Sequence, residues 1–453
     1  MSQVLFVSHS KREDRYYYDA SARYRCIFPA EYLNSTGIIA HVVHVNDLHK
    51  IDLQPYSHLI AHRPQDDRRL RRYLKKARAL GIECIADFDD LLFRPELADE
   101  SPAVQSGAMD LRSAQNQHRA YLKALRQFRH CWVSTDHLEI HAEQAVPDLN
   151  VNVCYNLMST RWTALADMLP AGERLQNKVI RYMPGTAHHS HDFARIQTAL
   201  ASILNNHADI RLEVVGDMAI DANTFPADQF ARLPFVAYDA LPQLIASSWL
   251  TIAPLEDTEF NRCKSGLKFW ESGIFGVPVI SSSLPDIERF SNAGLLIGGP
   301  EKWPQFIDQL CSAEVYCASS DAAYIQAKNA VFSPATDIRA ALLGLTTKAY
   351  KPALSTAQIR NQHIYMCAHF GPRWLADSLN PASKDFQTIN ALQPAALPQG
   401  CKDTADIRIK NDLHYKNRSA GRRKIRKLLR NPRLFFIDML KKMSQRMSRS
   451  NRR

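Results

Sequence analysis

Glu271, Lys264 and Lys268 stand close together in the stretch 252–281, IAPLEDTEFNRCKSGLKFWESGIFGVPVIS. A carboxylate accepts hydrogen bonds and an ammonium group holds an anion, so these types suit a polar ligand with negative charge. Ser265 and Asn261 add small polar groups, and Glu256, Asp257 and Glu259 enrich the loop ahead of them. A second group lies earlier in the chain. His62 closes the apolar run HLIAHR, Asp87, Asp89 and Asp90 close IADFDD, and Ser134 and Thr135 close WVST. Histidine and carboxylates move protons, which makes His62, Asp89 and Asp90 the candidates for catalysis, against the alternative that the aspartates only cap a turn. A third group follows VIRYMPG: Arg181 in the run, Gly185 at the turn, then His188, His189, His191 and Asp192. Anion binding, metal ligation and a helix capped by Asp192 with exposed histidines all remain open there. Arg23 and Arg25 offer planar forks suited to phosphate or acceptor groups.

These side chains sit where short apolar runs end, so the runs must be strands that deliver them. VLFVSHS, a helix near 24 to 36, IAHVVHV, HLIAHR, a basic helix at 66 to 79 and IECIADFDD alternate as strands and helices of a parallel sheet do. A long helix at 111 to 129 leads to HCWVSTD and, after a shorter helix, to VNVCYN. The period is lost at about 157 to 178 and restarts at VIRYMPG, followed by a helix at 191 to 205, RLEVVG, PFVAY, the helix LPQLIASS and WLTIAPL. The expected fold class is therefore α/β, with two Rossmann-like domains facing across a cleft. In such sheets ligands bind beyond the carboxyl ends of the strands, and a helix beginning near Ser265 would offer its amino terminus to an anion. No GxGxxG follows either first strand, which argues against a dinucleotide-dependent redox enzyme.

The spacing Glu271, Gly276, Pro278, Val279 resembles the end of the donor-site motif of family four glycosyltransferases, E-x-x-x-x-G-x-P-V. The resemblance implies the GT-B fold, and a Glu271 that grips the ribose of a nucleotide-sugar. The family's partner Glu, eight residues earlier, is Cys263 here, with Lys264 and Lys268 beside it. Lys264, Lys268, Ser265, Asn261, Arg181, Gly185, His191 and Asp192 are then the expected donor contacts, weighted toward phosphate. The resemblance further implies a retaining transferase that needs no metal and no cofactor beyond its nucleotide-sugar. A catalytically inactive scaffold of the same fold that binds a partner enzyme is the alternative.

At 453 residues with 45% apolar content the chain can build two cores of ordinary size, and its nine cysteines form no CxxC pair. The scattered cysteines suit the reducing cytoplasm, and VLFV is too short for a signal peptide. The expected organisation is an acceptor domain at 1–157, a donor domain at 158–350, a helical extension and loose linker at 351–415, and a basic tail at 416–453. In that tail 15 Lys and Arg against Asp438 give +14, so a chain total of +11 leaves −3 for the rest. Arg426 and Lys427 lie among its charges, while Phe435, Phe436 and Leu440 share an apolar face. A basic amphipathic helix of this kind suits an anionic membrane surface, and few aromatics interleave with the charges as nucleic-acid binding would want. The string RKIRKLLRNPRLFFIDMLKKM also resembles the C-terminal end of bacterial capsule and surface-polysaccharide biosynthesis proteins. It implies a polysaccharide or lipid-linked acceptor, and an enzyme bound peripherally to the inner face of the cytoplasmic membrane.

Overall fold

A computed structural model of the chain describes residues 3–11, 19–158, 174–184, 189–216, 220–234, 241–289 and 294–332, with Trp162, Leu165, Ala166, Met218, Val236, Tyr238, Leu343 and Gly344. Gly185, His188 and the tail residues Arg426, Lys427, Phe435, Phe436 and Leu440 lie outside them. Two parallel sheets of six strands carry the fold. The first joins β1 (Gln3–Ser8), β2 (Ile39–His44), β3 (Tyr56–His62), β4 (Glu83–Phe88), β5 (His130–Val133) and β6 (Asn150–Val153) in the order β2-β1-β3-β4-β5-β6. The second joins β7 (Lys178–Tyr182), β8 (Ile210–Val215), β9 (Phe230–Leu233), β10 (Leu250–Ala253), β11 (Val279–Ser281) and β12 (Leu295–Ile297) in the order β12-β11-β10-β7-β8-β9.

Local chemistry explains the helices between them. Asp67 accepts from the N–H groups of Arg69 and Leu70, which starts the helix Arg68–Ala79, and Leu70, Tyr73, Leu74 and Ala77 bury one face of it while the basic residues stay outside. Thr135 caps the helix Asp136–Ala145 in the same manner. Gly276 takes a φ of 63°, which only glycine adopts cheaply, and closes the helix Leu267–Gly273 so that Val279 can enter β11. Its hydrogen bond from Ser320 Oγ, 2.6 Å to the Gly276 carbonyl, shows how closely the helix Ala313–Phe332 approaches that turn.

Two expectations need correction. The helix expected near 24 to 36 begins at Ala20 behind an Asp19 cap, and its Arg23–Ile27 segment is a π-helical turn with all five residues buried. The strand expected at PFVAY is instead Phe230–Leu233, because Pro234 has no N–H to give a ladder. Each sheet keeps a core of its own, around Leu5, Leu59 and Phe88 in the first and around Ile180, Leu212 and Leu250 in the second, and a further cluster joins the two. That cluster runs from Val4, Tyr24 and Phe28 through Trp162 and Tyr238 to Phe269, Trp270 and Phe275, and Trp162 stacks on Tyr238 at 4.9 Å. Among the described residues no helix is long and apolar enough to cross a membrane.

Candidate functional site

In each sheet the strand order reverses once, between β1 and β3 in the first and between β7 and β10 in the second. The loops leaving such strands diverge to opposite faces and open a crevice at their carboxyl ends. In the first sheet His62 lies at the end of β3, beside Ser8 at the end of β1. His62 is 2% exposed and lies between a carboxylate and a hydroxyl: Nδ1 is 3.1 Å from Asp87 Oδ2 and Nε2 is 2.8 Å from Ser21 Oγ. Ser21 Oγ in turn donates to Asp89 Oδ2 at 2.5 Å. The serine proton thus points to Asp89 and not to the imidazole, which is the wrong polarity for a nucleophile activated by histidine. Arg63 follows, with φ 49° (the one non-glycine residue above zero among those described), and its Nε donates to Asp89 Oδ1 at 2.6 Å while Nη2 reaches Asp90 Oδ2. Backbone strain of this kind persists where surrounding bonds hold it, here including Arg63 N–H to the Asp87 carbonyl.

Burial alone would raise the Asp89 carboxyl, but the Arg63 guanidinium, then His62 and the two hydrogen bonds outweigh it and hold Asp89 well below the usual carboxylate range. Asp87 is likewise held low against its burial, chiefly by Arg25. That bond overturns the phosphate role expected of Arg25. The guanidinium is 2% exposed, its Nε and Nη2 fork onto Asp87, and Nη1 donates to the Cys154 carbonyl and to Asn156 Oδ1, so it has no face left for a ligand. Arg23 lies with its guanidinium carbon 3.8 Å from the centre of the Tyr238 ring, a cation–π contact and not a free fork.

The second sheet brings Lys264 to this network. Its Nζ is 3.6 Å from Asp90 Oδ1, which joins the two expected groups across the junction of the sheets. Lys264 follows a short helix, Glu259–Arg262, and precedes another, Leu267–Gly273, whose N-cap is Gly266, next to Ser265. The Gly266 N–H is taken by Asp286 Oδ2 at 2.6 Å, so the helix end expected to face an anion already has a carboxylate on it, one whose affinity for its proton burial raises. Ser265 Oγ accepts from Asn156 of the first half at 2.9 Å. Asn261 donates to the Glu256 carbonyl, while its Oδ1 is buried without a hydrogen-bond partner.

Glu271 is 5% exposed and holds two partners: Tyr24 Oη donates to its Oε1 at 2.6 Å and Lys268 Nζ lies 3.0 Å from its Oε2. Tyr24 comes from the π-helical turn of the first half. Burial, then the charge of Glu271, pushes the phenol well above its ordinary range, so it remains a donor.

Other expected donor contacts go elsewhere. Arg181 is inside β7, where it pairs with Glu213 across the ladder at 2.7 Å and donates to the Leu244 carbonyl, Ser247 and Ser248, so the diphosphate role expected of it is overturned by an internal ion pair. Asp192 sits in the first turn of the helix Ser190–Asn206 and accepts from the Glu256 N–H at 2.8 Å, which fastens the loop after β10. His191 is on the surface, 3.3 Å from Glu256 Oε2. Tyr24, Ser21, Arg63, Tyr238 and Asp286 had not been expected. Of these only Arg63 adjoins a strand end, and the partners that bring the others to the site lie far along the chain.

Neither a protein-family model nor any curated protein matches the sequence. Among solved structures the chain is similar to a glycosyltransferase from Rickettsia africae ESF-5, with 14% identity, a TM-score of 0.53, and coverage of 75% of this chain and 97% of that one. It is also similar to a sucrose-phosphate synthase from Thermosynechococcus elongatus, with 9% identity, a TM-score of 0.51, and coverage of 76% and 98%. Two parallel sheets whose carboxyl-end loops meet at one polar seam, matched over nearly the whole of both solved structures, give this chain the GT-B fold.

Proposed function

We propose that the protein is a glycosyltransferase that moves a sugar from a nucleotide-sugar to a surface polysaccharide or lipid-linked precursor at the inner face of the cytoplasmic membrane. The observation that carries it is the buried Glu271, bonded to Lys268 of its own helix and to Tyr24 of the first half, with Lys264 reaching the Asp89–Arg63–Asp90 network. Glu271 would accept the ribose hydroxyls, and Lys264 would answer the charge that builds on the departing diphosphate. The names of the two solved structures, a glycosyltransferase and a sucrose-phosphate synthase, agree with sugar transfer.

The state of Asp89 bears on stereochemistry. A carboxylate held low and bonded on both oxygens is a poor proton acceptor, so the acceptor hydroxyl would lose its proton to the leaving phosphate, the route that retains configuration. No metal is called on in that step, because the lysines supply the positive charge. The test is turnover with a panel of nucleotide-sugars on a crude membrane acceptor. Transfer by the wild type that falls at least tenfold in Glu271→Gln supports the reading. Absence of transfer with every donor, together with retained nucleotide binding, favours a second reading. In that reading the chain is an inactive scaffold, and it draws on the fact that Glu271, His62 and Asp89 are all already bonded within the protein.

A further inference from the structure

Away from Glu271, two pairs of side chains at i, i+4 spacing face one another across the junction. His137 and His141 stand one turn apart on the helix Asp136–Ala145 of the first half. Glu259 and Cys263 are the first residue and the C-cap of the helix Glu259–Arg262 of the second. Nε2 of His137 and Nε2 of His141 are each 2.8 Å from the same atom, Glu259 Oε1. One nitrogen of each histidine and the sulfur of Cys263 lie within 4.8 Å of one another. Cys263 is fully buried and the His141 side chain is 7% exposed, so the cluster is closed on its inner side and reached from the His137 side. The backbone beneath is fixed from both halves. Thr135 Oγ1 caps the histidine helix and donates to the Cys263 carbonyl at 3.0 Å, while Glu100 accepts from the Phe260 N–H at 3.0 Å.

We propose that His137, His141, Glu259 and Cys263 form a site for a zinc(II) ion that pins the two halves of the protein together. Two imidazoles, one thiolate and one carboxylate are the donor types that zinc takes in four-coordinate sites, and the two anionic ligands cancel the charge of the ion, which a mostly buried site requires. Metal–ligand lengths of about 2.0–2.3 Å put tetrahedral ligand atoms roughly 3.3–3.8 Å apart. Binding therefore opens the two 2.8 Å nitrogen–oxygen separations and draws together the histidine nitrogens and the sulfur, which already lie within 4.8 Å of one another.

The protons balance as follows. The Cys263 thiol gives its proton to solvent on becoming a thiolate. Each histidine, now a donor to Glu259 through Nε2–H, carries its proton on Nδ1 instead and offers the Nε2 lone pair to the ion. Glu259 exchanges two hydrogen bonds for one metal bond. One contact opposes this: Arg94 Nη1 donates to His141 Nδ1 at 2.9 Å, and that bond breaks when Nδ1 is protonated. Arg94 keeps Gln144 and Glu96 as partners, so its guanidinium stays hydrogen-bonded. The proposed ion is structural, and although Cys263 is the chain neighbour of Lys264, its test reads metal spectra and not sugar transfer.

The test uses the full-length chain, stripped of metal and titrated with cobalt(II) near neutral pH. The expected spectrum shows a thiolate-to-cobalt charge-transfer band and the intense visible bands of tetrahedral cobalt, saturating at one equivalent and erased by zinc. In Cys263→Ser the charge-transfer band disappears, and in His137→Ala with His141→Ala the affinity falls about 100-fold or more. Zinc should also raise the melting temperature of the wild type and not that of the double histidine variant. Should Cys263→Ser fold poorly, Glu259→Gln keeps the hydrogen bonds to both histidines and is expected to weaken binding at least tenfold. A spectrum without the charge-transfer band, or one that survives intact in Cys263→Ser, overturns the proposal, as does unchanged affinity in Glu259→Gln and the histidine variants together.

Discussion

Tyr24→Phe and Glu271→Gln should move nucleotide affinity in opposite directions. In the ligand-free protein Glu271 already accepts a 2.6 Å bond from Tyr24 and faces Lys268 at 3.0 Å, so a ribose that uses the same carboxylate has to displace the phenol. A hydrogen bond to a charged group is worth about 1.5–3 kcal/mol, and about 1.4 kcal/mol is tenfold in affinity. Removing the hydroxyl therefore relieves the competition, and Tyr24→Phe should tighten nucleoside diphosphate binding roughly tenfold or more. The empty protein should lose stability at the same time, because Glu271 remains buried with Lys268 alone. Glu271→Gln should weaken binding roughly tenfold or more, since an amide accepts ribose hydroxyls without charge assistance. Isothermal titration with a series of nucleoside diphosphates reads both variants. Because the Tyr24 phenol is pushed well above its ordinary range, the difference should hold throughout the neutral pH range. Weaker binding in Tyr24→Phe, with wild-type binding in Glu271→Gln, would refute the reasoning and move the ribose site away from this helix.

Three further outcomes follow from the same geometry. Asp87→Asn should destabilise the first half by about 3–5 kcal/mol, read by denaturant unfolding, because it strands the buried Arg25 guanidinium; a loss under 1 kcal/mol, on the order of a surface pair, would mean that water reaches it. Burial lowers His9 to about 3 and also lowers His58 and His118, so the unfolded chain binds more protons below its ordinary histidine value, and the melting temperature should fall as pH drops below about 6.5. His9 is only partly buried by surface area, so the fall should be shallower than its full shift implies, and a melting temperature flat from pH 7 to 5 would contradict it. Deleting residues 416–453, or combining Phe435→Asp with Phe436→Asp, should release the protein from anionic vesicles in a sedimentation assay; at about 1 kcal/mol per engaged basic residue the binding should weaken with salt, and binding indifferent to lipid charge would point to a protein partner.

Strand ends were legible in the sequence where a short, mostly apolar run gives way to polar residues, even though β2, β4 and β7 carry His41, Asp87 and Arg181 within them. HLIAHR and IADFDD therefore located His62, Asp87 and Asp89, and the Gly276-x-Pro278 turn located Glu271. Which charge answers which was not legible, because pairing depends on register between distant segments. Arg181 meets Glu213 only because β7 and β8 align those two residues, and Arg25 meets Asp87 across 62 positions of sequence. An arginine beside a strand end reads alike whether it faces a crevice or a buried aspartate. The histidine pair at 137 and 141 had a visible i, i+4 spacing, but its partners at 259 and 263 carry meaning only once the two halves are joined. Cys263, read as a missing sugar contact, is instead turned toward those histidines.

The seam between the halves is built from two kinds of contact that respond differently to a ligand. Aromatic packing, with Tyr24 and Phe28 of the first half against Tyr238 of the second at 6.3 and 6.0 Å, holds the halves together through ring faces and edges. The polar contacts engage groups that a nucleotide would use: Tyr24 occupies Glu271 and Asp90 faces Lys264. A donor that claims Glu271 and Lys264 must release Tyr24 and Asp90, and both belong to the first half. Donor binding in the proposed reaction is therefore coupled to the freedom of the first-half polar network, and Asp90, once released from Lys264, is left with Arg63, the residue that also holds Asp89. The coupling runs through named pairs and not through the apolar core. Loss of Lys264 should thus free Asp90 from its second-half partner as well as weaken phosphate binding, whereas loss of Lys268 leaves Asp90 paired and acts on the first half only through the Tyr24 bond to Glu271.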